Sequence, residues 1–358
     1  MMLRRHSLAL LFFACVACEN EPVKHTKHVI ASAAAPTGVV VDSAKLSLFA
    51  VLPDKAPAKN NLPSDEKIAL GRALYYDARL SKGQDVSCNG CHDLSKVGVD
   101  GADFSLGDAK KKQARNTPTI YNAALAATEF WDGRFETIEE AARSMLLDPN
   151  VMAGAEKRVV DTLKSIPGYV DAFKKAYPDA PDPVTVDGAV NAIAAFTRTL
   201  LTPAPWDQFL KGEQTALTDE QKKGFTRFVD VGCPTCHVGA LVGATMFQKL
   251  GKEKPWPNQS DKGRSTVTKS PSDDMMFKVS SLRNVERTAP YFHDASVKTL
   301  EEAIKTMATY QLAKDLSDDD VSAIAAWLKS LSGTAPEGIA AKPAEFPSTA
   351  KTPKPNAK

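Results

Sequence analysis

Four of the six cysteines in this 358-residue chain stand in two short patterns, Cys88-Asn89-Gly90-Cys91-His92 and Cys233-Pro234-Thr235-Cys236-His237. Two thiols, a two-residue spacer and an imidazole suit the attachment of a c-type haem. The thiols add across the porphyrin vinyl groups, and the histidine becomes an axial ligand of the iron. One such pattern is expected by chance about 0.002 times at this composition, so two carry a strong signal. A four-cysteine zinc site and a redox-active dithiol are the rival readings, and neither accounts for a histidine directly after both pairs. The spacing predicts two covalent haem c groups, one held by Cys88, Cys91 and His92, the other by Cys233, Cys236 and His237. His92 and His237 are the expected iron ligands.

Haem attachment of this kind needs an exported chain, and the first 18 residues read as an export signal. Arg4, Arg5 and His6 precede an apolar run from Leu8 to Ala17, only 10 residues long and too short to span a bilayer. The run ends in Cys15-Val16-Ala17-Cys18, which resembles the lipobox of bacterial lipoproteins with Cys18 as the lipidated residue. Plain cleavage is the alternative, so the expected location is the periplasm, soluble or lipid-anchored through Cys18. No other segment is long and apolar enough for a transmembrane helix.

An internal repeat organises the rest. Val190-Asn191-Ala192-Ile193-Ala194-Ala195-Phe196-Thr197-Arg198-Thr199-Leu200 and Val321-Ser322-Ala323-Ile324-Ala325-Ala326-Trp327-Leu328-Lys329-Ser330-Leu331 share six identities in eleven positions. Each follows a haem motif by about the same interval. Upstream, Ser64-Asp65-Glu66 and Thr218-Asp219-Glu220 read as helix N-caps with acidic first turns, leading through Gly71 and Gly224 towards the two motifs. Two related helical domains are the simplest account. Thr137 with Glu140 and Thr299 with Glu302 predict capping boxes. Val321, Ile324, Ala325, Leu328 and Leu331 repeat at helical spacing, with Ser317 as cap and Gly333 as terminator.

A composition of 43% hydrophobic and 25% charged residues is that of a globular protein with room for two cores of about 150 residues each. Disorder throughout is excluded. The net charge is +2, and Arg4 and Arg5 in the leader supply that surplus, so a nucleic-acid partner is not expected. The expected layout is a signal peptide over 1–18, a linker over 19–50, haem domains over 51–205 and 206–335, and a disordered Pro/Ala/Lys-rich tail over 336–358.

Further motifs carry a family resemblance. Gly98-Val99-Asp100-Gly101, Arg115-Asn116-Thr117-Pro118-Thr119 and Phe130-Trp131-Asp132-Gly133-Arg134 follow the first haem motif. Phe277-Lys278-Val279-Ser280-Ser281-Leu282-Arg283-Asn284-Val285 and Thr288-Ala289-Pro290-Tyr291-Phe292-His293-Asp294 follow the second. Together they resemble bacterial dihaem cytochrome c peroxidases over residues 60–333, a family that includes the dihaem enzyme maturing the tryptophan-derived cofactor of methylamine dehydrogenase. The resemblance implies a mainly α fold of two tandem cytochrome-c-like haem domains. It also implies an oxidoreductase whose second haem takes electrons from a small cytochrome c or cupredoxin and whose first haem reduces hydrogen peroxide.

By the same resemblance, Met307 matches the second ligand of the second iron, although Leu300, Ala303, Ile304 and Met307 also read as one apolar helix stripe. A thioether opposite histidine raises the potential of that iron, as electron entry requires. Trp131 matches the tryptophan between the haems, and Asn116, Thr288 and Pro290 match oxygen ligands of a calcium ion. Relatives are often homodimers. The departures are sharper: the switchable distal histidine falls on Asp108, the active-site glutamine on Ala141 and the active-site glutamate on Val151. Alanine and valine cannot move the proton that peroxide heterolysis requires. Outside the leader and the haem motifs only His25, His28 and His293 remain. The first iron is therefore expected to be open even when oxidised. Either its loop sets Asp108 over that face as a replacement proton shuttle, or Asp108 is a solvated residue beside Lys110, Lys111 and Lys112. The function expected is peroxide reduction. The alternatives are non-catalytic electron transfer or redox sensing, and oxidation of an organic substrate, which in the cofactor-maturing relative goes with tyrosine rather than methionine on the second iron.

Overall fold

Two helix crossings built from the same residue positions carry the fold. The computed structural model describes residues 38–58 and 60–356, so the leader, Cys18, His25 and His28 lie outside the described residues. The first half holds α1 (Ser43–Leu46), α2 (Asp65–Tyr76), α3 (Cys88–Cys91), α4 (Ile138–Leu147), α5 (Glu156–Lys164), α6 (Pro167–Ala176) and α7 (Val186–Thr197). The second holds α8 (Pro205–Leu210), α9 (Asp219–Val231), α10 (Ser265–Thr268), α11 (Leu300–Leu312) and α12 (Asp318–Lys329). Strand β1 (Phe247–Lys249) runs antiparallel to β2 (Met276–Lys278), with Gln248 opposite Phe277. This two-stranded sheet is the only one among the described residues, so the fold is mainly α. None of the described helices is long and apolar enough to cross a membrane.

Helix α2 packs on α7, and α9 packs on α12. At the first crossing a β-carbon on Gly71 would overlap the Ala192 carbonyl oxygen and lie 2.9 Å from Phe196 Cβ. At the second, a β-carbon on Gly224 would overlap the Ala323 carbonyl oxygen and lie 3.0 Å from Trp327 Cβ. Ala192 and Phe196 are the repeat partners of Ala323 and Trp327, so the sequence repeat is a repeat of one close helix crossing. Glycine serves here because its missing side chain lets two backbones approach.

The caps follow the sequence closely. Ser64, Thr137, Thr218, Thr299 and Ser317 each accept a backbone N–H of the first turn that follows. Thr137 with Glu140 closes a full capping box, whereas Thr299 accepts from Glu302 N (3.2 Å) without one. Gly333 does not end α12, which stops at Lys329 with Ser330 as its cap. Gly333 instead lies where a side chain would collide with the Thr202 and Pro203 carbonyls, and its N–H donates to Asn284 Oδ1 at 3.0 Å.

One core gathers Leu74, Leu146, Val159, Leu163, Phe173 and Ile193 from α2, α4, α5, α6 and α7. The other gathers Trp206, Phe225, Phe228, Ile324, Trp327 and Leu328 from α8, α9 and α12. Among the described residues, the end of the expected linker and the expected tail pack on the two cores. Phe49 sits within the second core against Trp206, Phe225 and Trp327, with centroid distances of 5.7, 5.3 and 6.2 Å. Leu52 N–H donates to Asp207 Oδ1 at 2.7 Å. At the other end the Pro/Ala/Lys-rich stretch packs on the first half: the Phe346 ring meets Tyr169 at 4.9 Å, and Arg79 donates to Phe346 O and Ser348 Oγ, both at 2.8 Å. Arg72 donates to Gly338 O and Ala341 O. Composition suggested disorder because the tail supplies few apolar anchors, but guanidinium groups of the first half satisfy its backbone carbonyls.

A buried ion pair ties the second half together. Arg283 binds Asp207 at 2.5 and 2.8 Å with both side chains 1% exposed, and its Nε donates to Ala240 O at 2.8 Å. Burial alone would raise the Asp207 carboxyl; the hydrogen bonds and charge of Arg283 hold it below the usual range.

Gly224→Ala is expected to destabilise the holoprotein by about 1–3 kcal/mol, the range for overpacking a filled interior. The roughly 1 kcal/mol that alanine gains over glycine within a helix does not offset a collision with a neighbouring backbone. A denaturant midpoint equal to or above that of wild type would contradict the close crossing.

Candidate haem sites

The second attachment motif starts at the left-handed Gly232 (φ 102°), which ends α9 and turns the chain into Cys233. His237 N–H donates back to Cys233 O at 3.1 Å. Its Nδ1 lies 3.1 Å from Val242 O, so Nε2 is the nitrogen left for a metal, the usual way a second contact orients a ligating imidazole. Burial lowers the His237 pKa and favours the neutral, ligating form. Cys233, Cys236 and His237 line a cavity of about 330 Å³ whose wall also includes Leu300, Ile304 and Met307 of α11. The apolar stripe on that helix and the candidate ligand Met307 therefore face the same space as His237.

In the first motif α3 carries Cys88 and Cys91, and His92 N–H donates to Cys88 O at 2.9 Å. Tyr75 Oη donates to His92 O at 2.6 Å, which fixes the backbone at the candidate ligand. His92 Nδ1 is buried without a hydrogen-bond partner, and burial lowers the ring's pKa. All four cysteines are free of disulfides, and burial pushes the Cys88 and Cys233 thiols up to about 12. A redox-active dithiol requires the opposite shift. Among the described residues no three His, Cys, Asp or Glu side chains are grouped to hold a metal ion, which counts against a four-cysteine zinc site. Paired free thiols beside a buried neutral imidazole, with an apolar cavity at the second motif, fit covalently held haem.

Between the two motifs, Trp131 Nε1 donates to Asn116 O at 2.8 Å, and Asn116 N–H donates to His293 O at 2.8 Å. The His293 ring is 2% exposed, stacks on Phe277 at 4.3 Å and meets the edge of Trp131 at 6.3 Å. Its Nε2 is buried with no partner. The sequence placed His293 in a second-half motif without a role; its contact with Trp131 spans the two halves and leaves no local signal. Arg115 donates to Asp132 at 2.6 Å and to both oxygens of Asp261 at 2.6 and 2.8 Å, joining the halves at this point. Asn116, Thr288 and Pro290 line the same cavity as His237. The Asn116 amide donates to Ala102 O and Asp103 O at 3.0 and 3.2 Å, so its Oδ1 remains an acceptor.

Asp108 is not the solvated residue that one expectation allowed. Its side chain is buried at 5% exposure while Lys110, Lys111 and Lys112 are exposed. The left-handed Ala109 (φ 54°) and Lys110 (φ 58°) reverse the chain, and Asp108 N–H donates to Val151 O at 2.7 Å. Gln113 Nε2 adds a bond to Asn150 O at 2.7 Å. The structure thus brings Asp108 and Val151 together, with Ala141 half-buried on α4. The other acids of this segment have partners: Glu139 pairs with Arg198 at 2.7 Å, Glu140 closes the Thr137 box, and Asp148 accepts Asn150 N–H at 2.7 Å.

Residues 65–215 match the family model described as di-haem cytochrome c peroxidase. Cytochrome c551 peroxidase of Pseudomonas aeruginosa is 41% identical over 320 residues, covering 86% of this chain and 90% of that protein. The chain belongs to the bacterial dihaem cytochrome c peroxidase and MauG-like family. The methylamine utilization protein MauG of Methylorubrum extorquens is 32% identical over 255 residues, covering 70% of this chain and 71% of that protein. The crystal structure of a MauG-like protein associated with microbial copper homeostasis superposes with a TM-score of 0.72 at 27% identity, covering 82% of this chain and 95% of that chain. As a member of this dihaem peroxidase family the chain is an oxidoreductase, and a c-type dihaem arrangement is the family's cofactor set.

Mass spectrometry of the holoprotein should find two covalent haem additions, and Cys88→Ser or Cys233→Ser should each disrupt one attachment; fewer than two in wild type would reject the assignment. Met307→His should lower the potential of one haem and leave the other nearly unchanged, because imidazole stabilises ferric iron better than a thioether does. An unchanged redox titration would move the ligand elsewhere.

Proposed function

We propose that this chain is a periplasmic peroxidase that reduces hydrogen peroxide with electrons from a small cytochrome c or cupredoxin. Bound haems supply one-electron storage and an open iron position for peroxide. The chain's own contribution is a division of labour. His237 and Met307 share one cavity wall with Trp131, which suits a six-coordinate electron-entry iron with an aromatic ring towards the other half. Asn116 Oδ1 and the carbonyls of Thr288 and Pro290 offer neutral oxygen donors for a calcium ion between the halves, a site that waters would complete. Cys18 is the proposed lipid anchor, and a homodimer is the proposed assembly.

The observation that carries the reading is the buried Asp108 on the Val151 backbone. With Ala141 and Val151 unable to exchange protons and the neighbouring acids engaged elsewhere, Asp108 is the remaining carboxyl for moving a proton between the two peroxide oxygens. The second reading, electron transfer or redox sensing without catalysis, is favoured by the same loss of two proton-handling side chains.

Steady-state peroxide reduction with a reduced small cytochrome separates the two. Asp108→Asn should lose at least about tenfold, and up to the 10²–10⁴-fold attached to acid–base groups. No turnover in either protein would favour electron transfer, and equal turnover in both would reject Asp108 as the proton-moving group. Spectroscopy of the fully oxidised protein should show one low-spin six-coordinate haem and one open haem; two low-spin signals would contradict an open first iron.

A further inference from the structure

A single carboxyl group lines the cavity of the second attachment motif. Among the lining residues, which include Cys233, His237 and Met307, Glu129 is the sole acid. It lies two residues before Trp131, and its N–H donates to Phe135 O at 2.8 Å, which pins the loop. Lys278 of β2 also lines the cavity. Its Nζ donates to Thr128 O and its backbone N–H to Trp131 O at 2.8 Å, so one lysine grips the loop on both sides of Glu129.

The charges around this carboxyl are few. Lys278 acts on Glu129, and Asp132 acts in turn on Lys278. Lys252, Arg283, His237, His293, Tyr121, Tyr291 and the thiols of Cys233 and Cys236 complete the ionisable groups of the wall. Arg283 is already neutralised by Asp207. On the loop's other side the Arg134 guanidinium lies 4.2 Å over the Phe130 ring and bonds Asp132 at 3.1 Å. Burial raises the Glu129 carboxyl to about 7 against the opposing pull of Lys278, and burial lowers Lys278.

An electron arriving in such a space adds negative charge where little water can screen it, and a nearby carboxylate then gains affinity for a proton. We propose that Glu129 takes up a proton when the second haem is reduced and releases it when the electron moves on, so that electron entry is proton-coupled. One electron comes from the donor protein and one proton from solvent, ferric iron becomes ferrous and the carboxylate becomes a carboxylic acid; onward transfer reverses both. The proposal rests on the reading of the His237 and Met307 haem as the entry site.

Spectroelectrochemical titration of the holoprotein across neutral pH tests it. In wild type the potential of this haem should be flat in acid, where Glu129 is protonated in both redox states, and should begin to fall near pH 7. Full coupling is a tenfold loss in the reduction equilibrium constant per pH unit, equal to 59 mV for a one-electron couple. In Glu129→Gln the slope should vanish and the response of the other haem should be unchanged. A slope that survives in Glu129→Gln, as a titrating haem propionate would give, or a flat wild type overturns the proposal. Should Glu129→Gln fail to take up both haems, Glu129→Asp must retain the slope, and reduced-minus-oxidised infrared spectra of wild type must show a new carboxylic acid band; absence of either overturns it. The absorption band of thioether-ligated ferric iron checks the entry-site reading separately: its absence faults Met307, and the pH slope still judges Glu129.

Discussion

The guanidinium of Arg115 is the interaction on which the junction depends. It stands between Asp132 of the first half and Asp261 of the second, with its side chain 15% exposed and Asp132 2% exposed. Burial would lower the Arg115 pKa and raise that of Asp261, but their hydrogen bonds and charges hold arginine up and aspartate down. Removing one partner would leave buried charge uncompensated, which is far costlier than the pair is worth. The halves are thereby held in one register at the residue next to Asn116. That asparagine bonds Trp131 by its carbonyl and His293 by its N–H, so the ring contact between Trp131 and His293 inherits its geometry from a salt bridge.

Duplication supplied two similar frames, and divergence gave them different chemistry. Gly71 on Ala192 and Gly224 on Ala323 make the same crossing, each beside an attachment motif. Around His237 lies an apolar cavity walled by both halves, with Met307 on a helix of the second half and Glu129 as the one carboxyl group from the first. The first half instead folds residues 107–113 onto residues 150–151, which buries Asp108.

The chain ends cross over. Residues around Phe49 complete the second core, and the segment through Phe346 covers the first. Each half therefore borrows chain from the far end of the sequence. Together with Arg115, this ties the halves by more than the single connection between α7 and α8.

The haem motifs, the capped helices, the duplication and the mainly α class were legible in the sequence because each is local: a five-residue pattern, a cap three residues from its partner, an eleven-residue repeat. Membership of the family was legible for the same reason. Tertiary structure alone decided what depends on distant partners. The burial of Asp108 follows from a bond to Val151 O, 43 positions on; the setting of His293 follows from Trp131 and Phe277; the order of the tail follows from Arg72 and Arg79. Glu129 has no motif of its own to mark it in the sequence, and only the fold places it, with Lys278, in the wall of an apolar cavity. Local hydrogen bonding and hydrophobic period are written in neighbouring residues, whereas the solvation of a charge is set by whatever the rest of the chain packs around it.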